Sequence, residues 1–255
     1  MSEHYFEFRN VSISFDDHAV LKDVSFFVNP GETAVILGRS GVGKSVSLKL
    51  LLGFLRPDAG KIIVAGEDVT GWSEKQFSEI CRRVTMVFQS GALFDSLTVA
   101  ENVAFPLTNR GRHEHSEETE ARVKELLAML EVAEFADRLP SDLSTGMKRA
   151  VAIARALGED PDAILYDEPT TMVDPLMASH MGDLILKLKE KFRKTSIVVT
   201  HDTHLAKKLA DRVIFLVDGG VAFFGTWPEL EVSQDPFLHN FLQQDELIPA
   251  LDATA

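Results

Sequence analysis

Eight consecutive residues, Gly38-Arg39-Ser40-Gly41-Val42-Gly43-Lys44-Ser45, are of the types that grip a triphosphate. Glycines let successive backbone amides converge on phosphate oxygens with no side chain in the way. Lys44 brings a point charge to the β- and γ-phosphates, and Ser45 offers a hydroxyl to Mg²⁺. A helix beginning here adds the positive end of its dipole. A second candidate lies further on, where Ala163-Ile164-Leu165-Tyr166 reads as a buried strand ending in Asp167 and Glu168. Two carboxylates at the end of such a strand are costly unless a metal and a water use them. Asp167 would hold the Mg²⁺ shell through water, and Glu168 would polarise an attacking water. Alone, that pair reads equally well as two solvated acids opening a turn. The glycine-rich loop supplies the other half of a site and favours the chemical reading.

The elements around these residues are of the kind that would position them. Thr33 to Leu37 is a short apolar strand entering the loop, and Val46 to Leu52 is an apolar-rich helix leaving it, stopped near Gly53 and Pro57. Earlier strands are expected at Tyr5 to Phe8, Val11 to Phe15 and Val24 to Val28, the last closed by Asn29-Pro30-Gly31. Lys61 to Val64 and Val84 to Phe88 read as further strands. In the middle, Val123, Leu126, Leu127 and Leu130 follow the spacing of an amphipathic helix from Ser116, its expected N-cap, to Leu130. A second helix is expected from Thr145 to Leu157, ended by Gly158. Ser196 to Thr200 and Val213 to Val217 are apolar runs that suit strands buried on both faces. After Gly225 the tail carries Trp227, Phe237 and Phe241 with no pattern that fixes its path. Strands and helices in this order predict an α/β fold with a largely parallel sheet and a helical insert.

Composition narrows the classes. At 255 residues and 45% hydrophobic, the chain can bury a large core. A formal net charge of -13 argues against a nucleic-acid partner, which needs a basic footprint. The single cysteine, Cys81, excludes an internal disulfide and suits a reducing compartment. No apolar run reaches the roughly 18–20 residues that cross a bilayer. The first residues, Met-Ser-Glu-His-Tyr-Phe-Glu-Phe, lack the features of a secretory signal. The expectation is a protein that serves a membrane, if at all, by docking onto something in it.

Further motifs resemble the ATP-binding-cassette (ABC) family. Gln89 follows the strand Val84 to Phe88, as that family's Q-loop glutamine does. Leu143-Ser144-Thr145-Gly146-Met147 stands at the signature position, ahead of a helix and upstream of the acidic strand end. Met172-Val173-Asp174-Pro175 stands at the D-loop, and Thr200-His201-Asp202 closes a strand as the switch histidine does. Phe15 lies where the family stacks an aromatic ring on adenine. Singly, Gln89, His201 and Phe15 would each read as ordinary structural residues; their joint order over residues 5 to 230 carries the resemblance. A narrower likeness is to the Mla-type ATPases. It rests on Phe88 through Val99, on Glu101-Asn102-Val103-Ala104-Phe105-Pro106-Leu107, on Gly38-Arg39-Ser40, and on Met147 ending the signature.

The resemblance implies a P-loop NTPase (RecA-like) core with a mainly parallel sheet, an N-terminal antiparallel β subdomain and an α-helical subdomain. It implies one nucleotide-binding domain over 1–255, with the helical part near 90–160 and a C-terminal tail over 226–255. It implies ATP and Mg²⁺ as ligands and a homodimer in which Ser144, Thr145 and Gly146 of a second copy grip the γ-phosphate. Gln89 would sense Mg²⁺, His201 would contact the γ-phosphate and Asp174 would bridge the copies. An integral membrane permease would dock near Gln89–Leu97, where Leu93, Phe94 and Leu97 form an apolar set. An Mce-domain protein would complete the complex, phospholipid or another lipid would be the cargo, and the site of action would be the cytoplasmic face of a bacterial inner membrane. Two departures stand out. Thr145 replaces the first signature glycine, and a β-branched residue there is expected to crowd the phosphate and slow turnover. Met172-Val173 replaces the usual small-then-leucine pair. Competing classes are a non-transport ABC ATPase, a small-solute importer ATPase, and a small-molecule kinase or P-loop GTPase. A GTPase should show Asn-Lys-x-Asp, which is absent.

Overall fold

Alternating burial builds the first strands of this computed structural model, which describes residues 3–108 and 117–247. β1 (Phe6–Phe15) and β2 (His18–Val28) form an antiparallel hairpin about Asp16 and Asp17, both at positive φ. The two strands expected over Tyr5–Phe8 and Val11–Phe15 are one strand with a bulge. Asn10 sits at φ 53, its amide bonded to Ser25 Oγ and its Nδ2 to Asp23 Oδ1, each at 2.8 Å. The register shifts between Phe8 and Val11, and Val11 and Ile13 return to the buried face. β2 starts earlier than Val24 because the hairpin pairs Phe15 with His18. Then come β3 (Thr33–Leu37), buried throughout, and α1 (Lys44–Leu51). β4 (Ala59–Val64) pairs antiparallel with β1, and β5 (Glu67–Asp68) adds an edge, giving the order β2-β1-β4-β5.

The chain then enters a separate unit spanning Glu74–Ser196, while Met1–Ser73 and Ile197–Ala255 form the other. α2 (Glu74–Arg83) was not expected from sequence; it buries only Phe77 and Ile80 among charged residues. It leads into β6 (Val84–Val87). α3 (Val99–Thr108) and α4 (Glu117–Met129) follow. Ser116, the expected cap of α4, lies outside the described residues. α5 (Thr145–Gly158) runs as anticipated and is buried along most of its length. It lies close on α3, since a Cβ at Gly158 would meet the Val103 carbonyl at 3.3 Å. β7 (Ala163–Asp167) pairs parallel with β6 in this unit. α6 (Pro175–Phe192) reaches α4 through Lys191 to Glu125, and the turn just after α4 through Lys187 to Glu131.

β8 (Thr195–Thr200) carries the chain back to the first unit, followed by α7 (Thr203–Leu209), β9 (Arg212–Val217) and β10 (Gly220–Gly225). Within that unit the strand order is β10-β9-β3-β8, with β3 and β9 parallel and β10 antiparallel to β9. α8 (Trp227–Glu231) and α9 (Pro236–Leu247) form the tail. Its aromatics pack on their own unit. Phe237 and Phe241 set their rings edge-on to Phe215 of β9, at 6.2 and 4.8 Å, and the Trp227 indole donates to Glu231 at 2.7 Å.

Candidate functional site

The first unit holds the phosphate loop. Gly38, Gly41 and Gly43 have φ of 151, 85 and 102, in the region that disfavours side chains. Gly38 and Gly43 are also held by packing. A Cβ at Gly38 would lie 2.6 Å from the Leu216 carbonyl, and one at Gly43 would lie 2.5 Å from Leu21 Cδ2. At Gly41 a Cβ would meet nothing within 4 Å, so this side of the loop is open to a ligand. Lys44 is 5% exposed, and its ammonium donates to the carbonyls of Gly38 at 2.8 Å and Arg39 at 3.1 Å. Such neutral acceptors hold the cation over the loop. Ser45 is half-buried on the first turn of α1, Val42 is half-buried, and Ser40 is exposed. Arg39 is exposed, with its guanidinium 5.4 Å from the Phe237 ring centroid. Phe15, at the hairpin end, is 41% exposed, leaving its ring surface accessible. His201 is exposed just beyond β8, beside Asp202, which caps α7 by accepting from the Leu205 amide at 2.9 Å.

The second unit holds the acidic strand end. Asp167 and Glu168 are 8% and 9% exposed, and Glu168 sits at φ 49, a strained value for a residue with a Cβ. Sequence reasoning missed what supports that turn. Arg149 of α5, 3% exposed, donates to the carbonyls of Glu168 at 3.2 Å, Pro169 at 2.6 Å and Thr171. Burial lowers the Arg149 pKa, and the charge of Glu168 acts in the opposite direction. Thr171 Oγ1 donates to Glu168 Oε2 at 2.7 Å. The one signal in the sequence was a cation placed among the apolar residues that follow the signature, and its partners lie 19 to 22 positions on.

Ser144 caps α5, its exposed hydroxyl accepting from the Met147 amide at 3.3 Å. Thr145 is exposed in the first turn, and Gly146 is buried against α6, where a Cβ would meet Met177 Cε at 2.4 Å. Asp174 caps α6 from an exposed position, accepting from the Met177 amide at 3.0 Å. Met172 and Leu176 beside it are 83% and 81% exposed.

Gln89 is exposed at the end of β6. The segment after it is tied to the helices of the same unit. Arg155 of α5 donates to the carbonyls of Ala92 at 2.8 Å and Gly91 at 3.2 Å and stacks on Phe94. Asn102 of α3, fully buried, accepts from the Phe94 amide at 2.8 Å and donates to the carbonyls of Phe94, Leu97 and Thr98 at 3.0–3.1 Å. Of the apolar set, Phe94 is 42% exposed and Leu93 and Leu97 are half-buried. Phe94 meets Phe105 at 4.4 Å, and Leu97 and Phe105 line a groove of about 620 Å³ with Val123 and Leu127.

The chain belongs to the ABC transporter family, whose model matches residues 21–171. It is an ATP-hydrolysing subunit of that family. A relative 36% identical, over 95% of this chain and 92% of its own length, is the intermembrane phospholipid transport system ATP-binding protein MlaF of Haemophilus influenzae. The sulfate/thiosulfate import ATP-binding protein CysA of Synechocystis is also 36% identical, over 94% of this chain and 66% of its own length. Among solved structures, the ATP-binding cassette MJ0796, a dimer in a post-hydrolysis state with ADP and Pi, matches with a TM-score of 0.78 and 34% identity, covering 87% of this chain and 98% of that one. Among the described residues, no helix is long and apolar enough to cross a membrane.

Proposed function

We propose that two copies of this chain close head to tail around two ATP molecules and drive lipid, most simply phospholipid, through a separate permease at the cytoplasmic face of a membrane. The phosphate loop carries this reading: its three glycines sit at positive φ, its face at Gly41 is open, and the ammonium of Lys44 is buried on its carbonyls. Amides of Arg39 through Ser45 bind the phosphates and Lys44 neutralises the β- and γ-oxygens, exchanging neutral carbonyl acceptors for charged ones. Phe15 stacks on the base. Ser45, Gln89 and Asp167 offer hard oxygen donors that suit Mg²⁺, which, when bound, would neutralise charge on the phosphates. Glu168 orients and polarises the attacking water, and His201 supports the γ-phosphate. Ser144, Thr145 and Gly146 of the second copy present a helix N-terminus to that phosphate, and Asp174 bridges the copies. The dimeric solved relative supports this arrangement.

The segment from Gln89 to Leu97, continuous with the groove beside Phe105, receives the permease, and an Mce-domain protein belongs to the same complex. MlaF and CysA match with equal identity, so identity does not separate lipid from small-solute cargo. MlaF matches along nearly its whole length, whereas about a third of CysA has no counterpart here. That difference favours lipid. Tagged protein should bring down a permease with an Mce-domain subunit from membranes, identified by mass spectrometry; an importer with a solute-binding protein would overturn the lipid reading. Glu168→Gln should bind ATP, hardly hydrolyse it and accumulate as a dimer, whereas normal turnover would remove Glu168 from its role.

A further inference from the structure

We infer that Thr171 is a positioning residue for the carboxylate of Glu168, an inference that rests on the proposed role of Glu168 in polarising water. A carboxylate on a flexible side chain is an efficient base only when one rotamer is held. Here the backbone of Glu168 is fixed by the guanidinium of Arg149, which grips the carbonyls of residues 168, 169 and 171 together. That grip explains how φ 49 persists at a residue with a side chain. The side chain is then fixed separately, because the Thr171 hydroxyl donates to Oε2 at 2.7 Å, a distance suited to a charge-assisted bond. One carboxylate oxygen is committed to the hydroxyl, and this sets the direction in which Oε1 points. The Thr171 amide also donates to the Glu168 carbonyl at 3.3 Å, so donor and acceptor belong to one turn and move together. Thr171 touches no nucleotide in this scheme. Its loss should therefore slow the chemical step and leave ATP binding in place, because the phosphate loop lies on other residues.

Valine matches threonine in shape and cannot donate, whereas serine keeps the hydroxyl. The test is steady-state ATPase of the full chain with Thr171→Val and Thr171→Ser, with fluorescent-nucleotide binding to report an intact ATP site. Loss of a hydrogen bond to a charged group, about 1.5–3 kcal/mol, corresponds to a fall in kcat of roughly 10- to 150-fold in T171V. KM for ATP should stay within about twofold, and T171S should keep kcat within about threefold of wild type. In a Glu168→Gln background, T171V should add less than about a twofold loss, since the two act as one unit. Wild-type kcat in T171V, an equal loss in T171S, or a rise in KM at unchanged kcat would overturn the role of Thr171. Wild-type turnover in E168Q alone would instead overturn the role of Glu168, and that of Thr171 with it.

Discussion

Asn102 makes a sharp test of how the segment after Gln89 is held. Its side chain is fully buried and ties one amide and three carbonyls between Phe94 and Thr98. Leucine has nearly the same shape and none of the polar atoms. The two Nδ2 protons are shared among three carbonyls and Oδ1 accepts one bond, so three neutral hydrogen bonds at about 1 kcal/mol each set an upper figure of about 3 kcal/mol for Asn102→Leu. Water can re-pair part of this set, because Phe94 is 42% exposed, which brings the lower figure to about 2 kcal/mol. At about 2–4 °C per kcal/mol for a chain of this size, Tm should fall by about 4–12 °C. Asn102→Asp should cost more at neutral pH. It keeps the acceptor for the Phe94 amide but turns the donor into a second anionic oxygen facing three carbonyls. Thermal unfolding followed by circular dichroism, with urea titration as a check, reads both variants. A Tm for N102L within about 2 °C of wild type, or N102D as stable as wild type, would refute the staple.

Two further predictions concern the site itself. Thr145→Gly should raise steady-state ATPase, because the glycine permits closer approach to the phosphate; a large loss of activity in that variant would contradict the idea. Burial pushes the Tyr166 phenol well above the usual tyrosine range, so the folded state keeps a proton that the unfolded chain releases near pH 10. The sign follows from linkage: this contribution is complete below about pH 10 and declines as pH rises beyond it. Between pH 10 and 11 wild type should lose about 1 kcal/mol more stability than Tyr166→Phe, measured by urea unfolding at both pH values; equal losses would show that the phenol titrates alike in the folded and unfolded states, against the burial argument.

The consecutive motifs were legible because each packs its chemistry into a few neighbouring residues, such as Gly38 to Ser45 or Asp167-Glu168. Strands β3, β7, β8 and β9 were legible because burial on both faces makes them continuously apolar. The bulge at Asn10 was not, because it depends on partners at Ser25 and Asp23 on the neighbouring strand. α2 escaped notice because only Phe77 and Ile80 mark its buried side. Arg149, Asn102 and Thr171 were missed for a shared reason. Each works through backbone carbonyls or one carboxylate in a neighbouring turn, and such partners have no residue-type signature. The tail was illegible because Phe237 and Phe241 find their place only against Phe215 of β9.

A mixed-dimer trapping experiment tests most directly whether two copies share each ATP. In a Glu168→Gln background, one protomer carries Lys44→Ala and the other Ser144→Arg, and retained ATP is counted after mixing. Each variant alone spoils both sites of its homodimer. A heterodimer joins the intact phosphate loop of one copy to the intact Ser144 of the other, so about one ATP per heterodimer should be trapped. If instead each nucleotide is enclosed by a single protomer, the mixture will trap no more than its components.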